Sequence, residues 1–441
     1  MLKKFSISLL IATLVILNTK GYALYNKASC VGTDYRKNIL NFEQEYDFTS
    51  NVEYARDCYT SLGYGTAILT QPTYEWLLRG GYGDYNIRFW ESDILYLIGH
   101  GNRLSMVWNY KQQGGEYACG VHKAKSGELE DGYKYVSVDD MQQDTNILVV
   151  LAGCETASLG TESPSIDVPN LAQRFYQKGS KNTIGWRYEV MRGALDDFCK
   201  HFNWALTQDY TIRGALEYAE SAQTYPEGSN VTSLIQYSND GGYTKLSDYR
   251  TTTYNAEVMQ AQARVENLDY TPTIIKEIPN ITDMNIEFTS GYYENIFETI
   301  REYDDTFNSA EYAIEENKTM LDEETYTIIL TRKIGEFYTE SQYKIFINNG
   351  IVTKIVDSTV DISEEEKNNI LDTNLEIIST SQYETLAIEN NIDNEETLNS
   401  KISNQRMYYI YSKDKKKQVI VYNTYEYANG TSTVLSETYD I

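Results

Sequence analysis

Two apolar runs constrain how this chain folds: Ile94-Leu95-Tyr96-Leu97-Ile98-Gly99-His100-Gly101 and Ile147-Leu148-Val149-Val150-Leu151-Ala152-Gly153-Cys154. Each is continuous rather than alternating, has the length of a strand, and ends in a small residue followed by a chemically capable side chain. Runs of this kind suit strands buried on both faces of a parallel sheet. In open parallel sheets, ligands and reactive groups collect just beyond the carboxyl ends of the strands. If the two strands are neighbours, an imidazole and a thiol stand side by side at one sheet edge.

The sequence around the two runs supports such a sheet. Helical spacing is expected over 50–61, behind a Ser or Asn cap, and over 72–78, 171–177, 194–206 and 214–222. Gly179 supplies the usual stop after the third of these. Strands are expected over 65–70, 94–99, 147–152 and 182–186. This alternation predicts an α/β fold over residues 24–240, a mostly parallel sheet with helices on both faces. The stretch 102–146, rich in Gly and Tyr, reads as a long insert with little periodicity, and any first strand between Cys30 and Asp47 is indistinct.

A linker is expected over 241–284, where turn residues are frequent, and a smaller α+β domain over 285–441. That second region has β-rich stretches at 326–331, 343–347, 407–411 and 418–425, the last two able to pair as a hairpin across Ser412-Lys413-Asp414-Lys415. An acidic helix over 363–371 opens on a Ser-Glu-Glu-Glu cap signature. The region holds neither histidine nor cysteine, which makes it a poor place for chemistry.

Composition narrows the partners. A net charge of −26 over 441 residues argues against nucleic acid or an anionic membrane, since phosphate recognition needs a concentrated basic surface. Lys3 and Lys4 precede an apolar stretch over 5–17, and Gly21-Tyr22-Ala23 offers a small-x-small site; together these predict a secretory signal peptide over 1–23. No later stretch is long and apolar enough to cross a membrane, so a secreted protein without stable membrane insertion is expected. Export permits disulfides, and an odd count of five cysteines leaves at least one thiol over. Cys154 is the natural one to stay free, with two bridges permitted among Cys30, Cys58, Cys119 and Cys199.

Only three histidines are present: His100, His122 and His201. A cysteine hydrolase needs an imidazole to take the thiol proton and return it to the leaving amine. It also needs backbone N–H donors aimed at the oxyanion, which the amides of Gly101 and Cys154 are placed to supply. His122 lies in the insert and His201 in a helix, where packing roles are expected. Alone, Gly-His-Gly also suits a plain turn, and Ala-Gly-Cys an inert buried thiol. Together, behind matched strands, they favour a catalytic dyad.

The blocks Leu95-Tyr96-Leu97-Ile98-Gly99-His100-Gly101 and Leu148-Val149-Val150-Leu151-Ala152-Gly153-Cys154-Glu155-Thr156-Ala157-Ser158 resemble the His and Cys blocks of the caspase-like (clan CD) cysteine peptidases, most nearly the CHAT branch. The segment from Asn170 through Lys178-Gly179 to Thr183-Ile184-Gly185-Trp186 follows the same pattern, and Ile212-Arg213-Gly214-Ala215-Leu216 completes it. The resemblance covers about 25–240. It implies a caspase-like fold and a secreted cysteine endopeptidase acting on protein or peptide. Cys154 would be the nucleophile, His100 the base, and the Gly101 and Cys154 amides the oxyanion hole. Glu155, Asp167 and Trp186 are the expected substrate contacts, with Asp196 and Asp197 as further acids near a basic-side-chain pocket. Where relatives often carry Trp-Pro, this chain has Trp186-Arg187. No metal and no cofactor are expected. The alternative is a catalytically inert caspase-like scaffold serving as an extracellular interaction module.

Overall fold

The computed structural model describes residues 27–33, 47–70, 72–79, 92–108, 119–128, 133–140, 146–158, 169–187, 190, 192–222, 234–249, 256–266, 275–279, 281, 284–285, 292–318, 325–372, 401–410, 418–426 and 432–440. The expected signal peptide and Asp167 lie outside these residues.

The first half is an α/β unit. Its elements run β1 (Lys27–Val31), α1 (Thr49–Ser61), β2 (Gly65–Leu69), α2 (Tyr74–Arg79), β3 (Ile94–Ile98), β4 (His100–Gly101), β5 (Ser105–Trp108), β6 (Cys119–His122), β7 (Gly127–Glu128), β8 (Lys134–Ser137) and β9 (Leu148–Ala152). They continue with α3 (Leu171–Gln177), β10 (Asn182–Trp186), α4 (Arg192–Thr207), α5 (Ile212–Ala222), β11 (Leu234–Ser238) and α6 (Ala256–Glu266). Six strands form the main sheet in the order β11-β10-β9-β3-β1-β2. Every pairing in it is parallel except β10 with β11.

The continuous apolar runs are explained by what covers each face. Ile94, Tyr96, Ile98, Leu148, Val150 and Ala152 pack with α1, α4 and α5, while Leu95, Leu97, Val149 and Leu151 pack on the other face with α2 and α3. Both sets are wholly buried, and each such aliphatic side chain contributes about 1.5–3 kcal/mol by leaving water. The α/β architecture with helices on both faces is therefore the observed one.

Several details differ from the sequence reading. The first strand is distinct: Lys27–Val31 lies between β2 and β3, inside the sheet. It was indistinct in sequence because Lys-Ala-Ser-Cys-Val is short and only half apolar. The insert is not aperiodic either. Its strands join His100–Gly101 in a second sheet of order β4-β5-β6-β8-β7, and Met106, Trp108, Cys119, Val121 and Val136 press it onto the second face of the main sheet. Its strands have two or four residues, too few for a period to declare itself. The stretch read as linker contains α6, which lies on α1 through an Arg264–Asp57 ion pair of 3.0 Å and a Gln262 side chain donating to Ser61 O.

All five cysteines are free thiols, so neither permitted disulfide forms. Cys30 and Cys199 sit on β1 and α4 within one core, Cys58 is buried on α1, and Cys119 lies across the sheet in the other core. Burial raises the thiol pKa of all four, that of Cys119 to about 12.

The second half is built on strand pairing of the opposite kind. After β12 (Lys276–Glu277) and β13 (Met284–Asn285) come α7 (Tyr292–Tyr303), β14 (Tyr312–Lys318), β15 (Thr325–Ile334), β16 (Phe337–Asn348) and β17 (Ile351–Ser358). Then follow α8 (Glu364–Asp372), β18 (Lys401–Ile410), β19 (Gln418–Glu426) and β20 (Ser432–Asp440). The nine strands form one sheet in which β16 with β18 is the parallel exception. Strands β18 and β19 make the expected hairpin, Ile410 opposite Gln418. Helix α8 is capped as its sequence predicts, with Glu366 N donating to Ser363 Oγ at 3.1 Å. No helix among the described residues is long and apolar enough to cross a membrane.

Candidate active site

Strands β3 and β9 are direct parallel neighbours in matched register, from Ile94 opposite Leu148 to Ile98 opposite Ala152. His100 and Cys154 therefore each stand two residues beyond the same final rung, on the same edge of the sheet. The pairing runs one step further, with Gly99 N donating to Ala152 O at 3.1 Å. Past that point the two chains pass each other closely enough to demand glycine. A Cβ on Gly153 would lie 2.6 Å from Gly99 O, and one on Gly101 would lie 2.8 Å from Cys154 O. Both are backbone oxygens that no rotamer change can move aside. The small residues of the two motifs are thus required by the interlock of the two strand ends.

The turn after Cys154 is held from three sides. Glu155 has φ of +53°, a left-handed conformation that costs a non-glycine residue about 1–2 kcal/mol and persists where its surroundings over-determine it. The hydroxyl of Thr156 donates toward Leu151 O at 2.9 Å and Gly153 O at 3.2 Å, and accepts from Trp186 N at 3.1 Å. Ala157 N donates to Trp186 O, and Ala172 N on α3 donates to Thr156 O. This fastens the Cys loop to β10 on one side and to α3 on the other.

The His100 and Cys154 side chains are both half-buried. Burial lowers the His100 imidazole to about 4, so the ring is neutral at pH 7 and available as a base. The Cys154 sulfur meets the backbone of Val190, lying 3.6 Å from its O and 3.5 Å from its N. A thiol donates to that carbonyl; a thiolate accepts from that amide. Glu155 is half-buried, and desolvation raises its pKa.

Trp186 differs from a substrate contact in its setting: it is fully buried, edge-on to Phe198 at 5.0 Å, and serves the core beneath the site. Asp196 and Asp197 lie in the first turns of α4. His122 is buried with its Nδ1 accepting from Ala124 N and Lys125 N, which caps a turn. His201 packs edge-on to Tyr218. Both have the packing roles expected of them. Sequence reasoning did not single out Val190 or Thr156. Val190 is unmarked in sequence, but Thr156 falls inside the Cys block, where a hydroxyl two residues past the strand-end cysteine was the available signal.

No protein-family model matches the chain, and no curated protein matches it. Among solved structures, the crystal structure of the Arg specific cysteine proteinase gingipain R aligns with it at a TM-score of 0.27 and 9% identity. The alignment covers 93% of this chain and 66% of that one, so the chain spans just under two thirds of that protein's length.

Proposed function

We propose that the α/β unit is a caspase-like cysteine endopeptidase, working on protein or peptide substrates outside the cell through a Cys154–His100 dyad. The observation that carries this reading is the register: Ile98 pairs with Ala152, which sets the imidazole and the thiol at equivalent positions on adjacent strand ends. In this mechanism the neutral imidazole takes the thiol proton as Sγ attacks the scissile carbonyl carbon. The oxyanion is received by the amides of Gly101 and Cys154. His100 returns its proton to the leaving amine, and water hydrolyses the thioester. Glu155, desolvated beside the nucleophile, is the residue best situated to meet a substrate side chain; Asp167 is a further candidate.

Cys154→Ala tests the reading. The other four cysteines are buried, so iodoacetamide applied to the native protein reports on Cys154. Wild type is expected to cleave denatured protein or a peptide library and to alkylate once; the variant should do neither, with cleavage falling by at least about 10³-fold. Cleavage retained by Cys154→Ala sinks the proposal. One observation favours the inert-scaffold reading, namely the engagement of the sulfur by Val190. A wild-type thiol that alkylates while no peptide is cut would decide for it.

A further inference from the structure

Thr156 is bound into the site on several sides. It is fully buried. Its hydroxyl reaches β9 at Leu151 O (2.9 Å) and Gly153 O (3.2 Å) and β10 at Trp186 N (3.1 Å). Its methyl carbon lies 2.8 Å from where a Gly101 Cβ would stand, so it fills the space against the residue that follows His100. Its carbonyl accepts from Ala172 N at 2.9 Å. One side chain thus touches the Cys turn, the His-side glycine and the next strand.

We propose that Thr156 is a positioning residue with two separable duties: its hydroxyl holds the Cys154 turn against β10, and its methyl holds the Gly101 backbone at its distance from Cys154. The inference rests on the dyad reading for its catalytic consequences, but its first duty concerns the Cys154 thiol alone. The hydroxyl is needed because Glu155 is held at φ of +53°, a conformation the chain leaves unless neighbouring bonds fix it. The methyl is needed because Gly101 has no side chain of its own to set its spacing.

The two duties are tested by Thr156→Val, which keeps the methyl shape and removes the hydroxyl, and Thr156→Ser, which does the reverse. Each variant is checked for folding by circular dichroism, then assayed for the pH dependence of Cys154 alkylation by iodoacetamide and for kcat and KM on a peptide that wild type cleaves. Thr156→Val is expected to slow alkylation at pH 7 by about tenfold and move its pH midpoint, the size of effect one lost hydrogen bond supplies. Thr156→Ser is expected to alkylate as wild type while kcat falls about threefold to tenfold and KM holds within about twofold, the signature of a loss felt in the transition state. A folded Thr156→Val with the wild-type alkylation profile overturns the first duty, and Thr156→Ser with wild-type kcat overturns the second. If Thr156→Val does not fold, Thr156→Ala in the same alkylation assay replaces it. A wild type that cleaves nothing refutes the peptidase reading, and the alkylation comparison still decides the hydroxyl's role.

Discussion

The two large sheets of this chain handle their strand ends oppositely. In the six-stranded sheet all strands but β11 run the same way, so residues far apart in sequence, His100, Cys154 and the Val190 backbone, meet at one edge. In the nine-stranded sheet nearly all pairings are antiparallel, so successive strand ends are dealt to alternate edges and no equivalent gathering occurs. Its notable chemistry lies mid-strand instead. Along β16, Tyr343, Ile345 and Ile347 enter the core with α7, while the alternate residue Lys344 faces the other way and is 2% exposed. There its Nζ donates to Glu220 O at 2.7 Å and Ser221 O at 3.3 Å, in the last turn of α5. One sheet gathers the His100 and Cys154 motifs at an edge; the other uses a lysine to hold the first unit.

The largest expected effect breaks that second role. An ammonium at a helix C-terminus answers the unpaired carbonyls and the negative end of the dipole, but Lys344 does so from the other sheet, 124 residues away from Glu220. Burial lowers the Lys344 pKa and raises that of Glu220, each partner's charge opposing the shift of the other. Removing the lysine leaves the buried carbonyls of Glu220 and Ser221 without this donor, at about 1–3 kcal/mol for each. Lys344→Met should therefore lower stability by that amount in urea unfolding. A Lys344→Met protein within about 0.5 kcal/mol of wild type would show that the contact does not join the two units.

The next effect sharpens the contrast from the side of the His and Cys motifs. Gly153→Ala places a Cβ 2.6 Å from Gly99 O, a collision of backbone with backbone that only a shift of the β3 or β9 end relieves. Overpacking of this kind costs about 1–3 kcal/mol, and here the upper end is expected, with alkylation of Cys154 altered. Hydrogen exchange should show the loss at the ends of β3 and β9 and leave β15 to β17 protected. Uniform loss across both sheets would mean that the two are one cooperative unit.

How much of this was legible in the sequence depends on the range of each interaction. The two strand-end motifs were legible because a doubly buried parallel strand writes itself as a continuous apolar run, and α3 (Leu171–Gln177) because Asn170 caps it, with Gln173 N donating to Asn170 Oδ1 at 2.7 Å, and Gly179 follows it. Strand β1 and the small β4–β8 sheet were illegible because segments of two to five residues carry too few side chains to show a period. Helix α6 was missed since Val258 and Ala261 are its only described core residues, so the stretch looks polar. The Lys344–Glu220 contact has no local sequence signal at all. Trp186 is expected as a substrate contact only through the family resemblance; its place at a strand end does not say which face its side chain takes, and here it takes the core.

A signal that was available but unread supplies the smallest test. Asn349-Gly350 lies between Asn348 and Ile351, which pair across β16 and β17, and both residues have positive φ, +52° and +70°. Asn-Gly with two positive φ values is the two-residue hairpin turn whose twist matches that of the strands it joins. Here glycine is required by dihedral angle, whereas at Gly153 it is required by space: Gly153 is not among the positive-φ glycines. Gly350→Ala should cost about 1 kcal/mol, the left-handed penalty of a single Cβ, and Gly350→Asn less, since asparagine tolerates that conformation. At Gly153 the order reverses, because asparagine is larger than alanine and the obstacle is Gly99 O. Measuring both pairs by thermal unfolding separates the two requirements. Equal ranking at the two positions would mean that the edge of the parallel sheet yields to a Cβ as a turn does, and that the interlock between the His and Cys motifs is looser than their spacing implies.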